Sequence, residues 1–180
     1  MTGVAARGPA GATDEVRLDV FLDTDRLQCS VGTFSTEVPI GAAALIHLVT
    51  GDPPEPSGLT NAIGLVVDHL DDVERELPAA RFADRVTVAG HGIAVLADVE
   101  VGVATALPFR LDRAAAEDLF RTLVTESAAE RARNPGLPPE WVADIVGTCC
   151  AVVALMRHFD LATVELREAS GAFPATEHPR

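Results

Sequence analysis

RLDVFLDTDRLQCSVGTFSTEV, residues 17–38, is the stretch on which the fold turns. Leu18, Val20 and Leu22 alternate with Arg17, Asp19 and Phe21 and continue a pattern begun at Val16, the two-residue period of a half-buried strand. Asp23-Thr24-Asp25 is turn chemistry, because short polar side chains there bond to nearby backbone. Leu27, Cys29 and Val31 alternate again, so a hairpin is expected. Gly32 punctuates, and Phe34, Thr36 and Val38 repeat the period as a third short strand. Connections this short join antiparallel neighbours.

Outward from this meander the period changes. Pro39-Ile40-Gly41 breaks the alternation, and 42–49 reads as a short apolar helix. After the Gly/Pro-rich loop 51–56, Ser57 is the expected N-cap of a helix over 58–77. Ile63, Val67, Leu70, Val73 and Leu77 give that helix an apolar stripe, and Asp68, Asp71, Asp72, Glu74 and Glu76 an acidic solvent side. A strand is expected over 85–88, then Ala89-Gly90-His91-Gly92, a brief apolar segment at 93–97, and extended chain over 99–109. On extended chain, Asp98 and Glu100 would share one face. Asp112 caps a helix over 113–125, Trp141 through Phe159 carries the clearest helical stripe, and 162–166 is a last strand. Residues 1–14 and 173–180 lack a period and read as loose tails around one unit, 15–172. The expected class is α/β: a single mixed sheet that begins with three antiparallel strands and is flanked by helices.

Composition excludes whole classes of function. With 14 Lys+Arg, all of them Arg, against 27 Asp+Glu, the net charge of −13 repels polyanions, so no nucleic acid is expected as a partner. Tyr is absent and Trp occurs once, which leaves no aromatic platform for bases. The mean hydropathy is +0.21, yet no apolar run approaches the roughly 20 residues of a membrane span, and the first residues lack the apolar core of a secretory signal; no membrane association and a cytoplasmic location are expected. Three cysteines, two adjacent, give neither a disulfide framework nor a zinc spacing, and the dispersed histidines give no metal site.

Several segments, in order, resemble the exopolyphosphatase/guanosine-pentaphosphatase (Ppx/GppA) family. SVGTFSTEVPIGAAAL is similar to the family's third strand and its PLGAxRL segment. ADRVTVAGHGIAVLA is similar to a strand and small-residue loop. ERARNPGLPPEWVADIVGTCCAVVALMRHFDLATVELRE is similar to the family's closing helix and strand. The resemblance spans about 16–172 and implies a single actin-like, ribonuclease H-like lobe, the second of the family's two. The first lobe, with its own phosphate loop and the family's catalytic Glu, has no counterpart in it.

What the resemblance implies about chemistry is largely loss. The family's first strand of this lobe runs into a DIGGGS loop, whose glycines let backbone N–H groups close on phosphate without a Cβ in the way. Here the aligned residues are Asp19-Val20-Phe21-Leu22-Asp23-Thr24. Asp19 is retained and Thr24 stands for Ser, but Phe21, Leu22 and Asp23 replace the three glycines. A carboxylate about 4 Å from phosphate opposes it by about 1–4 kcal/mol. Candidate ligand-binding residues implied by the resemblance are Asp19, Thr24, Gly41, Gly90, His91 and Gly92. Gly90-His91-Gly92 reads first as a strand-to-helix turn that needs glycine and second as a retained ligand contact. No catalytic residue is expected.

Three functions follow as expectations. One is a catalytically degenerate half-domain acting in interaction or regulation, with a protein partner or a second copy covering its exposed apolar surface. Another is a phosphatase for polyphosphate or guanosine pentaphosphate, completed by another chain and using Mg; otherwise no cofactor is expected. The third is a sensor of small phosphate ligands.

Overall fold

The computed structural model describes residues 15–169. Both expected tails, and the end of the expected lobe at 170–172, lie outside the described residues. The strands are β1 (Arg17–Leu22), β2 (Leu27–Val31), β3 (Phe34–Val38), β4 (Arg85–Gly90), β5 (Phe109–Asp112) and β6 (Thr163–Leu166). They form one mixed sheet in the order β3-β2-β1-β4-β6-β5. β1 pairs antiparallel with β2 and parallel with β4; β4 and β6 are parallel, and β5 returns antiparallel at the far edge. The helices are α1 (Ala42–Leu48), α2 (Pro56–Glu76), α3 (Ile93–Val101), α4 (Arg113–Thr125), α5 (Ala128–Arg131) and α6 (Ile145–His158).

Strand alternation sorts the sheet into two unlike faces. Leu18, Val20 and Leu22 are buried, as are Val86 and Val88 of β4 and Val164 and Leu166 of β6. Side chains from β1, β2 and β4 meet Leu45 of α1, Val66 of α2, Ile93 of α3 and Val152 of α6 around a residual void of about 10 Å³, too small for a ligand. The other face carries Asp19, Thr87, Glu165 and Arg110, directly opposed in register across four strands. Every residue from Ile145 to Met156 is buried, so α6 is apolar all round and forms the centre of the helical layer.

Three local expectations need correction. α2 begins two residues earlier than expected: Glu55 is the N-cap and Pro56 takes the first helical position, where its fixed φ and missing N–H cost nothing, so Ser57 is not the cap. Its buried face is Gly58, Ala62, Val66, Leu70 and Val73, with Ile63 and Val67 only partly covered. Small residues win that face because a side chain at Gly58 would overlap the Leu48 carbonyl. The segment expected to be extended over 99–109 begins as the end of α3. Ile93, Leu96 and Ala97 bury one helical side, and Gly102 ends the helix at φ +81°, its N–H bonding to the Asp98 carbonyl. Asp98 and Glu100 therefore lie on a helix, and the Asp98 carboxylate accepts from the Thr105 N–H at 2.6 Å. Asp112 caps α4 as expected, accepting from the Ala115 N–H at 2.8 Å.

α4 is tied to α6 by a two-pronged ion pair: Arg157 Nε and Nη2 donate to the Glu117 carboxylate at 2.7 and 2.6 Å. The hydrogen bond from Arg157 holds the Glu117 carboxyl below its ordinary range, against a smaller opposing effect of burial. The pair's stabilisation is fully present above the unfolded carboxylate value near 4.3 and is lost as pH falls through the depressed folded value. Glu117→Gln should lower stability at pH 7 by less than about 1 kcal/mol, since the pair is partly exposed, and should have no effect near pH 2. Urea melts at the two pH values check this.

Candidate functional site

In open α/β sheets, ligand sites form beyond the carboxyl ends of parallel strands. Here that place is the junction of β1 and β4, where Leu22 stands opposite Gly90. Three segments converge on it. The turn after β1 carries Asp23 and Thr24. Gly41 leads into α1, with the Ala42 and Ala43 N–H groups donating to the Asp23 and Thr24 carbonyls at 2.9 Å each. The loop after β4 carries Gly90, His91 and Gly92, and the His91 N–H donates to the Leu22 carbonyl at 2.8 Å. Gly90 at φ +113° has no room for a Cβ, which would overlap the Leu22 carbonyl oxygen; at Gly41 the obstruction is the Thr24 and Asp25 backbone.

The turn amides are already engaged. The Asp23 N–H donates to the Arg26 carbonyl at 2.9 Å, closing the hairpin. The Thr24 N–H donates to the Asp23 carboxylate at 2.7 Å. An acidic side chain of the protein itself thus takes the place an anionic ligand would need, and Arg26 lies 3.6 Å from its other oxygen. The glycines at 41 and 90 permit backbone to pack on backbone.

Of the six candidate residues, Thr24, Gly41, Gly90, His91 and Gly92 are brought together. Asp19 is not. It sits mid-strand on the outer sheet face, 2.7 Å from Arg17 Nε and bonded by the Thr87 hydroxyl. Sequence reasoning missed the surroundings of His91. Its Nε2 lies 3.5 Å from Asp144 Oδ2 without a hydrogen bond, and its ring meets Trp141 edge-on at 4.7 Å. Its carbonyl accepts from the Thr148 hydroxyl at 3.3 Å. Gly92, at φ +70°, gives Thr148 and Trp141 room, since a Cβ would come within 2.7 Å of the Thr148 oxygen. The segment similar to the family's closing helix already contained these three residues, but nothing in it pointed to position 91.

Among the described residues no three His, Cys, Asp or Glu side chains are grouped to hold a metal ion. At the junction the Asp23 carboxylate is taken by the turn, Asp144 lies 3.5 Å from His91, and no third carboxylate, His or Cys is grouped with them, so the described residues do not fit a bound Mg ion. The thiols are no nucleophiles. Burial pushes Cys29 and Cys150 up to about 12, and Cys149 well above its ordinary value. All three should resist a thiol reagent in the native protein at pH 8 and react together in denaturant; a native-state equivalent of fast-reacting thiol would contradict this.

Meander, parallel pair and one-sided helical layer define an actin-like α/β lobe. Solved structures with this arrangement include an exopolyphosphatase-like protein, with a TM-score of 0.77, 16% identity, and 85% of this chain covering 54% of that one. A Ppx/GppA phosphatase from Aquifex aeolicus, in its type II variant, has a TM-score of 0.74 and 16% identity, with 86% and 53% covered. An exopolyphosphatase from Cytophaga hutchinsonii has 0.65 and 14%, with 87% and 54% covered. This chain therefore has the fold of one lobe of Ppx/GppA-type structures and spans about half the length of those it matches. No protein-family model and no curated protein matches its sequence.

Proposed function

We propose that this chain is a catalytically degenerate half-domain of Ppx/GppA type that acts through interaction or regulation in the cytoplasm. The observation that carries the reading is the closed turn after β1, in which the Thr24 N–H is taken by the Asp23 carboxylate and the Asp23 N–H by the Arg26 carbonyl. A phosphoryl group there would have to displace a tethered anion and two internal bonds. Support for a partner, or a second copy, comes from large apolar side chains left in water: Phe34 is 74% exposed, Phe82 71%, and Val101 and Val103 flank the end of α3. No helix among the described residues is long and apolar enough to cross a membrane.

A second reading keeps the lobe as part of a phosphatase completed by another chain, with Mg supplied in that assembly. The observation in its favour is the His91–Asp144 pair beside the glycine loop. Phosphate release from polyphosphate and from guanosine pentaphosphate, measured with Mg on the purified chain alone and together with candidate partner chains, decides between the two. Release no faster than buffer is expected. Sustained Mg-dependent turnover that His91→Ala abolishes would reverse the order. The sensor reading is tested by a thermal-shift screen: a ligand at 100 times its Kd stabilises by about 2.7 kcal/mol.

A further inference from the structure

We propose that the outer face of the sheet carries a binding site for a small, multiply charged oxyanion, distinct from the glycine-loop junction. A groove of about 190 Å³ lies on that face, lined by strand residues and their flanks with no helical residue among them. Four arginines line it: Arg17, Arg85, Arg110 and Arg167. Four of the chain's 14 basic residues thus meet in one groove of a protein whose net charge is −13.

The manner of their pairing matters more than their number. Arg17 and Arg167 hydrogen-bond a carboxylate through Nε, Asp19 at 2.7 Å and Glu165, and Arg85 Nε lies 3.3 Å from Glu15. Arg157, by contrast, spends two nitrogens on Glu117. A contact through Nε leaves the terminal amino groups of a guanidinium to bond elsewhere, and among the described residues the one such bond is from Arg17 Nη2 to the Thr87 hydroxyl at 3.5 Å. Arg110 is exposed and makes no ion pair among the described residues. Asp84, the remaining acid in the lining, accepts from the Val16 N–H at 2.9 Å. The carboxylates hold the forks, and the unspent amino groups recognise the ligand.

The size of the ligand follows from the same charges. The attraction of the groove's arginines fades over about 8 Å at physiological salt, and the chain as a whole carries a net charge of −13. A polymeric anion would extend beyond that reach and be repelled; phosphate or diphosphate, free or as the terminal group of a small molecule, stays inside. The Arg17–Arg85 part of the groove lies at the opposite end of β1 and β4 from the glycine loop, while Arg167, whose backbone N–H donates to the Val88 carbonyl, carries the groove along the outer face toward the carboxyl end of β4. Arg17 pairs with Arg85 at one end and Leu22 with Gly90 at the other, roughly 17 Å apart at 3.3 Å per residue.

Calorimetric titration of the full chain with inorganic diphosphate at low ionic strength tests this. Saturable binding is expected, weakened at least tenfold by Arg110→Ala and by Arg167→Ala and unchanged by Arg121→Ala, an exposed arginine on α4 outside the groove. Both groove substitutions are at the surface and leave the core untouched. Titration with inorganic phosphate should show weaker binding with the same dependence on the variants. Lack of saturable binding to diphosphate overturns the proposal, as does binding that Arg110→Ala leaves intact. Loss of binding in His91→Ala, with both groove variants normal, would place the ligand at the junction instead and also overturn it.

Discussion

Gly90→Ala should cost on the order of 4 kcal/mol or more and lower the melting temperature by roughly 10 °C or more. Two effects add. At φ +113° a residue with a Cβ is strained by about 1–2 kcal/mol or more. The added carbon also overlaps the carbonyl oxygen of Leu22, which is backbone in the central strand and accepts from the His91 N–H at 2.8 Å. Neither group can step aside without opening the β1–β4 pairing. Gly64→Ala is the internal control. Gly64 lies in α2 with open space where its Cβ would be, so the substitution should stabilise by about 0.5–1 kcal/mol. Equal small effects at both positions would show that the strand junction yields far more readily than its geometry requires.

Arg131→Ala should destabilise by about 3 kcal/mol, although arginine is ordinarily a surface residue. Arg131 is 5% exposed at the end of α5. Its guanidinium donates to the Val142 carbonyl at 3.3 Å, the Leu123 carbonyl at 3.2 Å and the Glu126 carbonyl at 2.5 Å. Leu123 lies in the last turn of α4, where carbonyls lack intrahelical partners, so one cation satisfies a helix terminus and pins the loop that leads to α6. Truncation removes the guanidinium donor from one buried and two part-buried carbonyls and leaves a void. Arg131→Lys should recover less than half the loss, because an ammonium cannot reproduce the planar fork. Urea unfolding reads both variants. A loss under about 1 kcal/mol for the alanine variant would mean that water replaces the guanidinium at those carbonyls.

These two residues mark what the sequence could and could not disclose. β1 and β3 were legible because alternate residues are buried, and alternation records that directly; β2 is buried on both faces, but Gln28 and Ser30 between Leu27, Cys29 and Val31 keep the alternation in the sequence. α4 was legible through Asp112, whose side chain caps the helix it precedes. α3 was not: it is apolar on most sides, so its residues fit a strand period as readily as a helical one, and only Gly102 marks where it ends. α2 was placed correctly but rotated, because its packing face uses Gly58 and Ala62 to bring backbones close, while a hydrophobicity pattern favours Ile63 and Val67. At the junction, Phe21, Leu22 and Asp23 stand where the resemblance implies glycines, and their side chains were visible in the sequence. That the Asp23 carboxylate would bond its neighbour's N–H was not, because it depends on how the turn closes. His91 meets Asp144 and Trp141 across about fifty residues of chain, a proximity no local pattern encodes. Arg131 looked like any surface arginine until the three carbonyls around it were located.

The account depends most on the turn after β1 being closed to anions. Amide chemical shifts of the isotopically labelled protein, followed during titration with inorganic phosphate, test it directly. The resonances of Leu22, Asp23 and Thr24 should remain in place, and any saturable movement should fall on strand residues beside Arg110 and Arg167. Concerted, saturating shifts at Leu22, Asp23 and Thr24, joined by those of Gly90 to Gly92, would contradict it.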